Sequence, residues 1–69
     1  MAHRTFTVLV DWVDGDVFDT DEFIVVAKSA AEAKKTAHAM WSATNGARYP
    51  SCRVEKVQIL TQRMMRSFA

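Results

Sequence analysis

The sequence predicts an α+β fold, a two-layer β-β-α-β domain in which a three-stranded antiparallel sheet (order 2-1-3) carries one helix on one face. Three observations predict it: two alternating apolar stretches early in the chain, one segment of helical period bounded by start and stop signals, and a third apolar-alternating stretch after it.

The first strand is "RTFTVLVDWV", residues 4–13, with Phe6, Val8, Val10 and Trp12 on one face and Thr7, Leu9, Asp11 and Val13 on the other. Apolar residues on both faces suit a central strand. The second, "EFIVVA" (22–27), sets Phe23, Val25 and Ala27 against Ile24 and Val26. A helix follows over about residues 30–44. Ser29 can accept a backbone N–H bond as its N-cap, and Glu32 three residues on completes a capping box. Ala30, Ala33, Ala37, Met40, Trp41 and Thr44 recur at helical spacing, leaving Lys34, Lys35 and His38 on the wet side. The alanines let the axis approach a sheet closely, Met40 and Trp41 fill the wider end, and Asn45-Gly46 supplies a left-handed stop. "ARYPSC" reads as a loop, "RVEKVQILT" (53–61) as the third strand, and residues 62–69 as an amphipathic tail.

A hairpin makes the first two strands antiparallel, and the helical crossover brings the third parallel to the second, on the far side of the first. One helix covers one face only. Leu9, Val13, Ile24 and Val26 are expected to line the other, and an open apolar face on a small domain usually marks an interface. Either the tail residues Met64, Met65 and Phe68 cross it or a second chain does. The expectation taken forward is a homodimer, with Met64 and Phe68 at the edge of the contact.

The chain has 69 residues, room for a single domain (1–69) with one small core that buries roughly 60% of its unfolded surface. Cys52 is the sole cysteine, so no disulfide forms within one chain, and a reducing, cytoplasmic setting is expected. No apolar run approaches the ~20 residues that span a bilayer. No membrane association is expected.

Charge is strongly segregated. Residues 11–22 hold Asp11, Asp14, Asp16, Asp19, Asp21 and Glu22 with no basic residue, whereas from residue 23 onward Lys and Arg greatly outnumber Glu32 and Glu55. A calcium loop with Gly15 at its sixth position would need ligands from Val10 and Trp12, which have none to offer, so the EF-hand pattern fails. A tight turn at Asp14-Gly15 would set Asp19 opposite Val10 and Asp21 opposite Val8. The stretch from Asp14 to Asp21 is therefore expected to be a longer, mobile connection, with Asp14, Asp16, Asp19 and Asp21 offering an acidic docking surface.

Arg48, Arg53 and Lys56 with Tyr49 form the candidate nucleic-acid surface, although no RNP sheet motif, helix-turn-helix or zinc knuckle accompanies them. His38 has no second ligand a turn away, and His3 lies near the terminus, so no metal is expected from either. No histidine neighbours Cys52 in sequence. Trp12 and Trp41 are expected to pack together between sheet and helix. No cofactor is expected.

The unit "EFIVVAKSAAEAKKTAHAMW" resembles the strand–Ser–helix segment of small β-β-α-β proteins of phages and bacteria. It also resembles that of the small archaeal ribosomal protein of LX type, on Val25, Ala27, Ser29, Glu32 and Ala33. The resemblance implies the fold and suits a phage accessory protein acting in the host cytoplasm; it transfers no functional residue. The expected function is a small non-enzymatic module that binds a host or phage protein and dimerises through its open sheet face. The alternative is an RNA- or DNA-binding accessory protein.

Overall fold

The computed structural model describes residues 3–60. Strands β1 (Arg4–Asp14), β2 (Val17–Ala27) and β3 (Arg53–Ile59) form one antiparallel sheet in the order β2-β1-β3, and helix α1 (Ala30–Trp41) packs across it. The predicted fold class and strand order are both found. Met64 and Phe68 lie outside the described residues.

The hairpin differs from expectation. Strand β2 begins at Val17, five residues earlier than the alternation suggested, and only Gly15 and Asp16 connect it to β1. Gly15 has φ +62 while no non-glycine residue described has positive φ. This matches the first central position of a type II′ turn, whose twist suits a two-residue hairpin. Moving the turn one residue beyond Asp14-Gly15 gives the register Trp12↔Asp19, Val10↔Asp21 and Val8↔Phe23. Asp19 and Asp21 do sit opposite Trp12 and Val10, and the Asp21 carboxylate is met there by Asn45 from the turn that follows α1. The stretch 14–21 is ordered strand and turn, not a mobile connection.

Directly opposed residues share a face. The helix-side face carries Val8, Val10, Val25 and Ala27, which with Ala33, Ala37, Trp41 and Cys52 form the buried core; Phe6, Trp12, Phe23, Val54, Val57 and Ile59 pack around it. Ala27, Ala33 and Ala37 are fully buried, so side chains ending at Cβ set the helix–sheet spacing. Trp12 and Trp41 lie at 6.4 Å between ring centroids and tilt by 45°, the predicted pairing. Met40 does not fill the wide end. It is exposed, and Trp41 occupies that space alone.

The helix starts where Ser29 predicts: its backbone is extended and its Oγ accepts the Glu32 N–H at 3.2 Å. The stop is different. The chain does not turn left-handed at Gly46 but widens into a π-helical turn over Ser42–Gly46. There the Thr44 hydroxyl donates back to the Met40 carbonyl at 2.9 Å. Gly46 matters for space instead, since a Cβ there would stand 3.2 Å from Trp41 Cζ3.

β3 is irregular. Asp11 pairs with Lys56 and Trp12 with Val54, so Glu55 is the extra residue of a bulge. At its end the Leu60 N–H donates to the Thr7 carbonyl at 2.8 Å. Odd-numbered residues of β1 therefore turn their backbone groups toward β3, and even-numbered ones toward β2. Among the described residues no helix is long and apolar enough to cross a membrane.

Candidate interaction surface

The face opposite α1 is built by the alternate residues of each strand. Thr5, Thr7, Leu9, Asp11 and Val13 of β1 lie beside Val26, Ile24, Glu22, Thr20 and Phe18 of β2; Gln58, Lys56 and Arg53 flank them on β3. Nothing among the described residues covers this face. Phe18, Ile24 and Val26 are 72%, 66% and 63% exposed on it. A shallow groove over its middle is lined by Leu9, Asp11, Thr20, Glu22, Gln58 and Leu60.

The four predicted described residues of the interface thus share one face. They are not equal. Ile24 and Val26 stand out from the sheet, Leu9 is half-buried in the groove, and Val13 is only 6% exposed between Phe18 and Arg53. The exposed apolar side chain at that end is Phe18, which the sequence pattern missed because it lay inside the supposed loop. Its signal was the alternation of Phe18, Thr20 and Glu22 leading into Ile24.

The acidic stretch divides between both faces. Asp14, Asp19 and Asp21 stand on the helix side, Asp16 sits in the turn, and Asp11 and Glu22 belong to the open face. Two of the helix-side acids have structural partners. Asn45 Nδ2 donates to Asp21 Oδ2, and Ser51 Oγ donates to Asp14 Oδ1 at 2.8 Å. These bonds tie the hairpin's far end to the connection between α1 and β3. On the open side, Thr20 Oγ1 donates to Asp11 Oδ1 at 2.7 Å. Among the described residues no three His, Cys, Asp or Glu side chains converge to hold a metal ion.

The basic residues do not gather. Arg53 and Lys56 lie on the open face, Lys56 directly opposite Asp11, while Arg48 and Tyr49 are exposed in the connection before β3. That face therefore offers mixed charge around apolar ground, not the single-sign groove that follows a phosphate backbone.

Cys52 is buried in the core. Burial pushes its thiol above its ordinary value, and the charge of Asp14 and a hydrogen bond to it push the same way. It stays protonated at neutral pH, unlike a catalytic thiolate. Comparison of the chain with protein-family models, curated proteins and solved structures gives no match.

Proposed function

We propose that this chain is a small non-enzymatic binding module that self-associates through its open sheet face and docks a protein partner. One observation carries the reading: three large apolar side chains of β2, Phe18, Ile24 and Val26, are each more than half exposed on a face that α1 leaves bare. Fully burying side chains of this kind is worth about 1.5–3 kcal/mol each, a strong drive toward a partner. Interleaving with Asp11, Glu22, Arg53 and Lys56 gives the apolar ground a polar rim of both signs, the usual anatomy of a protein contact. The role suits the accessory-protein character implied by the strand–Ser–helix resemblance.

Sedimentation velocity over a micromolar to millimolar concentration series tests it. The chain should populate a dimer, and Ile24→Glu should return it to monomer without loss of helical circular dichroism, since Ile24 contributes nothing to the core. An unchanged dimer in that variant counts against the face; a monomer throughout the wild-type series removes self-association.

A further inference from the structure

We infer that two copies pair edge to edge through the second half of β2, antiparallel about a two-fold axis at Val25, continuing the sheet as β3-β1-β2-β2-β1-β3. This rests on the self-association reading but moves the contact from the open face to the edge of β2 beside it, leaving the face itself for a protein partner.

The sheet has two outer edges, and they differ. Along β3 the edge is interrupted by the bulge at Glu55 and carries Arg53, Glu55 and Lys56, the devices that discourage further pairing. The first half of β2 is defended too, by Asp19, Asp21 and Glu22, and the Thr20 N–H is already taken by Asp19 Oδ1 at 2.8 Å. From Phe23 to Ala27 the strand has no charge, no bulge and no proline, and no strand lies outside it among the described residues. That is an undefended edge.

Hydrogen-bond phase narrows the register. Since even-numbered residues of β1 face β2, their partners, the odd-numbered residues of β2, face inward. Glu22, Ile24 and Val26 therefore turn their N–H and C=O groups outward. Two such edges can pair only where outward residues oppose outward residues, which limits the axis to whole residue positions. An axis at Glu22 opposes Glu22 to itself. An axis at Phe23 or Ile24 sets Glu22 against Ile24 or Val26. An axis at Val26 puts Lys28 against Ile24. An axis at Val25 pairs Ile24 with Val26 of the second copy, Phe23 with Ala27, and Glu22 with Lys28, the exposed residue just past the strand. It alone matches apolar to apolar and acid to base. It also brings both copies' Ile24 and Val26 together on the open face, enlarging the surface assigned to a partner. The contact is isologous and closed, so it stops at two chains.

The full chain tests this by amide hydrogen exchange beside sedimentation equilibrium. The Glu22, Ile24 and Val26 amides should exchange at least tenfold more slowly as the dimer fills, while Phe18, outward but outside the paired stretch, stays fast. Glu22→Lys and Lys28→Glu should each weaken dimerisation roughly tenfold, by turning two cross-strand pairs into like charges. The double exchange should restore it. A dimer whose Glu22, Ile24 and Val26 amides remain fast overturns the edge pairing and leaves the open-face reading standing. Single variants without effect, or a double exchange that fails to restore, overturn the register. A monomer throughout overturns both.

Discussion

Replacing Gly15 with Ala separates an ordered hairpin from a loose acidic loop, because the two pictures give opposite signs. In a loose loop alanine narrows the unfolded ensemble and can adopt the folded conformation freely, so stability rises by about 0.4–1 kcal/mol. In the hairpin Gly15 holds φ +62, where a Cβ meets the following carbonyl, and the cost is about 1–2 kcal/mol. No other strain contributes, since nothing lies within 4 Å of a Cβ at this position. For a domain of this size that loss lowers the melting temperature by about 4–16 °C. Thermal unfolding followed by fluorescence of Trp12 and Trp41, at one fixed protein concentration, reads it directly. Asp16→Ala serves as control and should stay within about 0.5 kcal/mol of the native chain. A Gly15→Ala variant as stable as the native chain, or more so, would refute the tight turn and with it the register of β2.

Ala37→Leu should cost about 1–3 kcal/mol in urea unfolding, because Ala37 is fully buried against the sheet and an added isobutyl group must push α1 away. Asn45→Ala should cost about 1–3 kcal/mol by leaving the half-buried Asp21 carboxylate without its amide donor, and Asp21→Val in the same chain should recover most of that loss. The raised Cys52 thiol makes stability depend on alkaline pH. The folded state holds this proton more tightly than the unfolded chain does, so the contribution is complete below the ordinary thiol value and fades as pH rises through the higher folded one. Urea midpoints should fall above about pH 9 in the native chain and less so in Cys52→Ala; alkylation at pH 8 should be slow until the protein unfolds.

Much of the fold was legible because it follows from local periodicity. Alternation marked β1 and the second half of β2, and the alanine stripe with Ser29 marked α1 and its first residue. The connection rules then left strand order 2-1-3. The turn was misplaced because a tight one at Asp14-Gly15 would oppose Asp19 to Val10 and Asp21 to Val8, and acids opposite valines look forbidden when only the strands are considered. Yet Asp21 does face Val10, and its partner Asn45, 24 residues further along the chain, is invisible to a local pattern. Gly46 looked like a left-handed stop for a similar reason: its actual role, making room for the Trp41 ring, depends on packing. The bulge at Glu55 is visible only in the pairing of β3 against Asp11 and Trp12. For the candidate surface, Ile24 and Val26 could be found by counting alternate positions, whereas Phe18 needed the correct start of β2.

We propose that the bare face and adjoining edge of β2 meet another molecule, and a second copy first of all. An isotope-filtered nuclear Overhauser experiment on a mixture of labelled and unlabelled chains tests it most directly. Intermolecular contacts are expected between the methyl groups of Ile24 in one copy and Val26 in the other, with none from Lys34, Lys35 or His38 on the outer side of α1. Contacts confined to that helix surface, or none at concentrations where the dimer dominates, would contradict it.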